Sequence, residues 1–384
     1  MKKILFIASE SINLNSGGGL ANRAFFNSLS LHFPEQVDII QLHHNENDID
    51  RPHYFFVPEL SKFNQLWNIC HGHFHRLYNW MQVFLNEHGH EYSHCVMNQS
   101  FYGDLFPMLT KYGIKVAVIH HNYEVRYQLD NKLPATLYGL TPYFIKRNER
   151  MALSQAALNL YLTQSDYQTL NDVYAQGHRG NHEVIGVYEP VETDRIEVAN
   201  SPIPTNVIAI CGSLNNKQTE LSVMEVFNRY YQIISDVFDH QFKLIITGRN
   251  PGDVIKSAAD THQHVSLIAN PEHISDVLCE AGIFLCPVNC GSGLKLRIMD
   301  GMRLGLPILT HQVSAQGYEP FYTYPWFRVY HDETTFRKGL TEILKVIASH
   351  TGLREEIIKS YYSYFAFSSG DKRFMKALTP FLQS

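Results

Sequence analysis

Short, almost wholly apolar runs alternate with amphipathic stretches along the chain, and this alternation restricts the fold more than any other feature of the sequence. Such runs are typical of strands buried on both faces of a parallel sheet, and the stretches between them are typical of the helices that cover it. The pattern therefore predicts an α/β fold. The predicted strands span residues 3–8, 37–42, 94–98, 115–120, 158–163 and 183–187 in the first half, and 207–211, 242–247, 265–268, 283–287 and 307–309 in the second.

The length of the chain and one polar segment predict two domains. At 384 residues the chain exceeds the length at which a single hydrophobic core usually stops growing. Residues 187–204 carry three prolines and four acidic residues without a sustained apolar period, which is typical of a linker. We predict two Rossmann-like, doubly wound domains facing a cleft, with ligands at the carboxyl ends of the strands. The predicted boundaries are 1–190 for the first domain, 191–204 for the linker, 205–355 for the second domain and 356–384 for a helical segment that crosses back to the first.

The composition argues against several classes of protein. The formal net charge is −5, so the broad basic face that nucleic-acid binding requires is not expected. No apolar run is long enough to span a membrane, and the run that follows Lys3 is too short for a signal peptide. The six cysteines lack C-x-x-C spacing. We therefore expect a cytoplasmic enzyme without disulfides.

The most informative motif is the segment 291–310, which joins a glycine turn, a predicted helix and a buried strand. The turn exposes backbone N–H groups, and a helix that begins near Leu294 would direct its positive end at a negative ligand. Asp300, one or two turns later, can accept two hydrogen bonds from a ribose diol, although a surface helix acid would look the same in sequence. The segment is typical of a site for a phosphorylated sugar donor.

A second glycine run, Ser16, Gly17, Gly18 and Gly19, follows the first predicted strand and precedes a predicted helix. Glycine lets a ligand approach the backbone closely at a helix N-terminus. The run lacks the G-x-G-x-x-G spacing of a dinucleotide fingerprint. It is typical either of a flexible strand-to-helix connection or of a loop at the reacting phosphate or the acceptor.

Polar side chains also cluster where the strand at 115–120 ends, namely His120, His121, Asn122 and Glu124. The carboxyl end of a parallel strand is where α/β proteins place their chemistry. Since side chains alternate along a strand, we expect one histidine to face the cleft and the other to face away, and the sequence does not decide which. A structural, hydrogen-bonded histidine is the alternative interpretation.

Three histidines, His71, His73 and His75, invite a metal interpretation. On a helix only the first and third would share a face, and no carboxylate neighbours them in sequence, so we expect no metal site. The apolar residues around them recur every three or four positions and predict a helical face packed in the core. The alternative is a face that lies on a membrane surface or binds a lipid-linked acceptor. These residues are Leu60, Phe63, Trp67, Cys70, Phe74, Leu77, Met81 and Phe84.

Basic residues follow two strands of the second half. Lys217 comes after the strand at 207–211, and Arg249 after the strand at 242–247. A basic side chain at a loop tip is usually solvated, but together with Lys295 and Arg297 these residues predict a positive pocket for a diphosphate. Lys295 and Arg297 are two residues apart, so on a helix they would diverge and only one would face the ligand.

In their order along the chain, these motifs resemble those of the retaining nucleotide-sugar glycosyltransferases of the GT-B fold, family 4. The resemblance covers nearly the whole chain and rests most specifically on Pro287 leading through Gly291, Ser292 and Gly293 to Pro307. It implies transfer of a hexose from a nucleoside diphosphate, with a UDP-sugar favoured, to a glycan, glycolipid or glycoprotein acceptor with retention at the anomeric carbon. It also implies that no metal or cofactor is required. The supporting motifs are 17–19, 120–124, 162–166 after Glu149, 211–213 and 247–248.

The resemblance implies a role for each candidate residue, with the acceptor bound by the first domain and the donor by the second. It also implies work in polysaccharide, glycolipid or glycoprotein assembly, with peripheral association at the inner face of a membrane as one alternative. The candidate catalytic residues are His120, His121 and Lys295. The donor-binding candidates are Gly18, Gly19, Ser213, Lys217, Arg249, Asn270, Ile274, Ser292, Gly293, Leu294 and Asp300, and the acceptor-binding candidates are Asn122 and Glu124.

The chain departs from the commonest family pattern at two positions. Asp300 matches the second of the family's two glutamates, whereas Ser292 stands where the first, which orients the donor sugar, is expected. Ser213 stands where an arginine often binds the diphosphate. The orienting role then falls to the amides of Gly293 and Leu294 or to Lys295.

Two other functions stay open at this point. A nucleotide-sugar 2-epimerase of the same fold is disfavoured because the motifs are poor in acid/base carboxylates. A non-catalytic, transferase-like partner protein is favoured by the missing glutamate and arginine.

Overall fold

The chain divides into two units, each built on its own parallel sheet. The computed structural model describes residues 2–9, 11–13, 17–42, 53–73, 75–130, 141–174, 181–193, 203–291 and 293–384. Unit 1 comprises residues 1–193 and 366–384, and unit 2 comprises residues 194–365.

Unit 1 contains a seven-stranded sheet in the order β3-β2-β1-β4-β5-β6-β7, with every pair of neighbours parallel. The order reverses between β1 and β4, which is the topological switch point of a doubly wound sheet. The strands are β1 (Lys3–Ala8), β2 (Val37–Gln41), β3 (Tyr54–Phe56), β4 (Tyr92–Asn98), β5 (Lys115–His120), β6 (Leu158–Tyr161) and β7 (Asn181–Val184). The helices are α1 (Gly17–His32), α2 (Lys62–Cys70), α3 (Leu77–His88), α4 (Phe106–Lys111), α5 (Glu124–Asp130), α6 (Thr141–Gln155) and α7 (Gln164–Val173), with 3-10 turns at Gly89–Glu91 and Ser100–Leu105.

Unit 2 contains a six-stranded parallel sheet in the order β10-β9-β8-β11-β12-β13, which reverses between β8 and β11. Its strands are β8 (Val207–Ser213), β9 (Lys243–Arg249), β10 (Val265–Ala269), β11 (Ile283–Cys286), β12 (Ile308–His311) and β13 (Phe327–Tyr330). Its helices are α8 (Lys217–Glu225), α9 (Tyr231–Val237), α10 (Asp253–Thr261), α11 (Ile274–Leu278), α12 (Arg297–Arg303), α13 (Glu333–Ser349) and α14 (Leu353–Phe365). A π-helix at Val226–Tyr230 joins α8 to α9, and a 3-10 turn spans Glu319–Phe321.

The central strands explain why the apolar runs predicted the fold. Ile4, Leu5, Phe6 and Ile7 of β1 are fully buried, because helices cover both faces of the sheet and leave no polar side. The same holds for β8 and β9 in unit 2. The predicted fold class, two Rossmann-like doubly wound domains, is confirmed.

The C-terminal residues form two helices that belong to different units. Helix α14 packs on α12 in unit 2, and the chain turns at Ala366 into α15 (Phe367–Leu382), which packs on α1 in unit 1. Phe374 of α15 contacts Phe25 of α1 with ring centroids 5.1 Å apart. The predicted return of the C-terminal helix to the first domain is confirmed.

Two strands were missed by the sequence pattern, and both lie at sheet edges. Strand β3 has only three residues, all half-buried, and so short an apolar run does not distinguish a strand from other structure. In β13 the buried Phe327 and Tyr330 flank the half-buried Arg328 and Val329, which is too short a pattern to separate from a turn. Edge strands are covered less completely than central ones, and their sequences are correspondingly mixed.

The prediction of a helical face packed in the core around the three histidines holds for only part of the segment. Helix α2 ends at Cys70, Gly72 follows with a φ of +86°, and α3 begins at Leu77. The α3 residues Leu77, Met81 and Phe84 are buried as predicted, but Phe63 and Trp67 of α2 are 71% and 57% exposed. Periodicity identified the apolar face, but it did not show that the α2 part of that face is exposed. Phe74 lies outside the described residues.

The membrane and disulfide expectations can be compared with the described residues. None of the helices described is long and apolar enough to cross a membrane. All six cysteines are free thiols.

Candidate functional site

In unit 1 the candidate residues lie at the carboxyl edge of the sheet, around the switch point between β1 and β4. The glycine run was predicted to form a loop before the first helix. Instead, α1 already begins at Gly17. Gly17, the half-buried Gly18 and the buried Gly19 therefore form the first helical turn, whose N–H groups have no partner within the helix. Ser16 lies outside the described residues.

A chain of hydrogen bonds crosses this switch point. The Nε2 atom of His121, just beyond β5, lies 2.6 Å from Oδ1 of Asn98 at the end of β4. Asn98 in turn donates through Nδ2 to Oδ1 of Asn22 on α1. The edge of Phe25 also contacts the His121 ring, with centroids 6.5 Å apart. The chain thus joins the ends of two strands to the first helix.

The environment of His121 sets its protonation state. Burial lowers the pKa of His121 to about 4, so the ring is neutral near neutral pH. Since Asn98 uses Nδ2 to donate to Asn22, its Oδ1 accepts, and the proton of His121 resides on Nε2. The Nδ1 atom then carries a lone pair that can accept a hydrogen bond from a hydroxyl group.

His120 points away from His121, as strand alternation predicts. It is fully buried, its Nε2 lies 2.8 Å from Oδ1 of Asn159, and its ring stacks on Tyr161. These contacts are made with the neighbouring strand β6, so His120 packs inside the sheet layer.

The predicted acceptor-binding residues begin α5. Glu124 is 2% exposed, and the half-buried Asn122 hydrogen-bonds its carboxyl group. Burial and the negative charge of Glu149 raise the pKa of Glu124 well above its ordinary value. Its Oε1 atom has no hydrogen-bond partner among the described residues. A neutral carboxylic acid at this position can both donate and accept hydrogen bonds.

In unit 2 two glycines let the ends of β8 and β9 approach closely. Gly212 and Gly248 are paired across the two strands, with φ values of +153° and +150°. A Cβ atom on Gly248 would lie 1.8 Å from the carbonyl oxygen of Gly212, which no side chain could tolerate. The two strand ends therefore pack backbone against backbone, which only glycine permits at Gly248.

The segment 291–310 forms the predicted turn, helix and strand, but the helix begins later than predicted. Helix α12 begins at Arg297, and Lys295 and Leu296 belong to a turn that precedes it. Gly291 and Gly293, with φ values of +84° and +80°, form the glycine turn, and the half-buried Leu294 follows it. Gly305, with a φ of +70°, ends the helix. Ser292 lies outside the described residues.

Arg297 ties this segment to the switch point between β8 and β11. Its guanidinium group donates to the carbonyl oxygen of Cys211 and to Oγ1 of Thr219, both at 3.2 Å. It also covers Gly212, where a Cβ atom would lie 2.4 Å from the guanidinium. The start of α12 is thus held against the loop that joins β8 to α8.

Lys295 and Asp300 flank Arg297 in different environments. Lys295 is 9% exposed, and its carbonyl oxygen accepts a hydrogen bond of 3.0 Å from the hydroxyl group of the buried Tyr318. Asp300, in contrast, is exposed on α12. Burial raises the pKa of the Cys211 thiol, and the negative charge of Asp300 raises it as well. The Asp300 carboxylate therefore influences the end of β8 through its charge.

The remaining donor-site candidates follow the strands at this edge. Ser213, Lys217 and Arg249 are exposed, and the ammonium group of Lys217 pairs with Glu220. Asn270 adopts a φ of +50° and accepts a hydrogen bond of 2.8 Å from the backbone N–H of Asn250. The half-buried Ile274 begins α11. The structure therefore brings the β8, β9 and β10 loops to one edge of the sheet.

Two of the three histidines after α2, His73 and His75, have a carboxylate neighbour that their sequence context did not reveal. Asp104 accepts hydrogen bonds from Nδ1 of His73 at 2.9 Å and from Nε2 of His75 at 2.6 Å. Burial raises the pKa of Asp104, but the two histidines lower it by more, so that the pKa is about 2. No group of metal-ligating side chains occurs in the part of the chain that the structure describes. The cluster joins the α2–α3 connection to the core.

Sequence reasoning missed Asn22, Asn98 and Glu149 as members of the unit 1 site. Asn98 stood at the carboxyl end of an apolar run, which is the same signal that identified the two histidines. Asn22 and Glu149 lie on helices, where one polar residue gives no sign of being buried.

Part of the chain matches a known protein family. Residues 205–321 match the model of the family described as Glycosyl transferases group 1. That stretch contains all the candidate residues of unit 2, and unit 1 lies outside it. No curated protein sequence matches the chain.

Solved structures resemble the whole chain at low sequence identity. Sucrose-phosphate synthase from Thermosynechococcus elongatus is 12% identical, with a TM-score of 0.70 and coverage of 100% of both chains. HepE of Anabaena, in complex with UDP and glucose, is 11% identical, with a TM-score of 0.62 over 99% of this chain and 100% of its own. The lipopolysaccharide outer core galactosyltransferase WaaB is 13% identical, with a TM-score of 0.66 over 98% of this chain and 99% of its own. The chain shares the GT-B fold of these proteins.

Proposed function

We propose that this protein is a retaining glycosyltransferase that moves a hexose from a nucleoside diphosphate, with UDP-sugars favoured, to a glycan, glycolipid or glycoprotein acceptor. The observation that carries the proposal lies in unit 2. Arg297 holds the start of α12 against the end of β8, at the switch point of the sheet and inside the stretch that matches the Glycosyl transferases group 1 model. Ligands of doubly wound sheets bind at this point. HepE, whose fold the chain shares, is described in complex with UDP and glucose.

In the proposed reaction, unit 2 binds the nucleotide. Asp300 accepts hydrogen bonds from the ribose hydroxyls, and the glycine turn and Lys295 face the diphosphate. Breaking the bond from sugar to phosphate builds negative charge on the leaving group, which preorganised N–H groups and a cation stabilise without a metal ion. Arg297 has a positioning role in this scheme, because its guanidinium already binds Cys211 and Thr219.

Unit 1 supplies the groups proposed to meet the sugar and the acceptor. His121, neutral and with Nδ1 available to accept, binds a hydroxyl group of the donor sugar. Asn122 and Glu124 bind the acceptor. The leaving phosphate takes the proton of the attacking hydroxyl, so no covalent nucleophile is needed.

The test is release of free nucleoside diphosphate from a panel of UDP-, GDP- and ADP-sugars, with and without a mixture of glycan and glycolipid acceptors. Acceptor-dependent release from one donor supports the proposal, and Asp300→Ala should reduce it. Interconversion of the nucleotide sugar without release would indicate the epimerase. Absence of both turnover and nucleotide binding would refute the proposal and favour the non-catalytic partner.

A further inference from the structure

A buried glutamate of α6 joins three separate segments of unit 1. Glu149 is fully buried, and its carboxylate accepts three hydrogen bonds. Ser100 donates through its hydroxyl group at 3.0 Å, Glu124 through its backbone N–H at 3.1 Å, and Tyr174 through its phenol at 2.9 Å. These donors belong to the turn after β4, the start of α5 and the end of α7.

Two of these segments carry the partners of the His121–Asn98 hydrogen bond. Ser100 lies two residues after Asn98, and Glu124 lies three residues after His121. Between Asn98 and Ser100 the backbone of Gln99 adopts a φ of +153°, a conformation that side-chain-bearing residues rarely occupy. Such a conformation persists only where its surroundings hold it in place. The carboxylate of Glu149 accepts a hydrogen bond from each of these two segments.

We propose that Glu149 is a positioning residue for the transfer reaction: its carboxylate fixes the two loops that hold His121 against Asn98. The proposal rests on the proposed function, because it assumes that His121 meets the donor sugar. A charged acceptor forms hydrogen bonds about twice as strong as a neutral one, so ionised Glu149 holds both loops more firmly than its protonated form.

The surroundings of Glu149 make this ionisation relevant near neutral pH. Burial, together with a smaller contribution from the charge of Asp166, raises the pKa of Glu149 to about 7, although the three hydrogen bonds act in the opposite direction. Below that pH a proton is added to one of the two carboxylate oxygens of Glu149. Both oxygens already accept hydrogen bonds, so the proton competes with a donor. The titratable groups that face Glu149 are Glu124 of α5, Asp166 of α7, and the phenols of Tyr123, Tyr161 and Tyr174, while Arg150 lies near Tyr174.

The experiment compares kcat as a function of pH for the wild type, Glu149→Gln and Glu149→Ala in the full-length chain. We expect wild-type kcat to fall as pH falls through about 7. Glu149→Gln mimics the protonated acid, so its kcat should match the low plateau of the wild type and not change with pH. Glu149→Ala should lower kcat at every pH by about tenfold or more. UDP affinity should be unchanged in both variants, since the nucleotide is proposed to bind unit 2.

Two further variants separate positioning from a general loss of structure. Tyr174→Phe removes one of the three donors and should lower kcat less than Glu149→Ala does. Glu87→Gln, on an exposed acid of α3, should leave the whole pH profile unchanged. Wild-type pH profiles for both Glu149→Gln and Glu149→Ala would overturn the proposal.

A second readout does not depend on transferase activity. The imidazole resonances of His121, assigned by their absence in His121→Gln, should move when Glu149 is replaced by alanine, and should titrate with Glu149 in the wild type. If the wild type releases no nucleotide from any donor, the proposed function fails, and the resonances then decide the positioning role alone. Unchanged resonances in Glu149→Ala would refute it.

Discussion

Replacing His121 by glutamine should change how the stability of unit 1 depends on pH. Glutamine can place its Nε2 where the imidazole Nε2 donates to Asn98, so the hydrogen bond is kept while the titrating group is removed. Burial is the cause of the lowered pKa of His121, and no charged partner contributes to it. The difference between wild type and variant therefore isolates one group.

The magnitude follows from the two pKa values of this histidine. In the folded protein the pKa is lowered from 6.5 to about 4. Between these values the unfolded chain binds a proton at His121 and the folded chain does not, so the stability that the neutral ring contributes is lost as pH falls from 6.5 towards 4. A shift of this size corresponds to about 3 kcal/mol. At pH 7.5 the histidine is neutral in both states and makes no such contribution to the pH dependence.

The assay is amide hydrogen exchange of peptides from β1, β4 and β5 at several pH values, corrected for intrinsic exchange rates. These strands report the free energy of opening unit 1. Wild type should lose about 3 kcal/mol relative to His121→Gln between pH 7.5 and 4. Peptides from β8, β9 and β11 provide an internal control and should show no difference between the proteins. Parallel pH profiles of the wild type and His121→Gln in β4 and β5 would refute the assignment of His121 as a neutral, buried imidazole.

Three further predictions concern unit 2. Gly248→Ala should lower the free energy of unfolding, measured in urea, by about 3 kcal/mol or more, because its Cβ atom would lie 1.8 Å from a backbone oxygen. The control Gly113→Ala, at a φ of +70° with open space around it, should lower the free energy of unfolding by about 1 kcal/mol. Equal costs would contradict the close approach of β8 and β9. Asp300→Ala should weaken UDP binding about tenfold, measured by calorimetry, without loss of stability, since the side chain is exposed. The control Asp253→Ala, which removes another exposed acid, should leave UDP binding unchanged. Lys295→Ala should lower kcat by about tenfold or more with UDP affinity less affected, and wild-type turnover would exclude the proposed role of this lysine.

The central parts of both sheets could be predicted from sequence because strands buried on two faces are apolar at nearly every position. The runs that form β1, β5, β8 and β9 contain almost no polar residues. The edge strands β3 and β13 are only three and four residues long, which is too short for the pattern to be recognised. Helix α2 shows the opposite error: Phe63 and Trp67 have the spacing of a core face, and spacing alone cannot show whether another element covers it.

Candidate site residues could be predicted only where polar residues end apolar strands. His121 was proposed by that rule, and Asn98 fits it equally well. The roles of Arg297 and Asp104 could not be predicted, because their partners are distant in sequence: Arg297 binds the carbonyl group of Cys211, and Asp104 binds His73 and His75. Contacts of this kind depend on the topology of the sheet and not on any local pattern.

Nucleotide binding tests the central claim most directly, because it does not require the acceptor to be known. UDP, GDP and ADP are titrated against the full-length protein and Asp300→Ala, and the unfolding temperature is followed. A ligand that binds only the folded state raises stability with the logarithm of its concentration over Kd. We expect one nucleoside diphosphate, UDP, to raise the unfolding temperature of the wild type at concentrations where Asp300→Ala responds weakly. Unchanged unfolding temperatures with all three nucleotides at millimolar concentration would contradict the account.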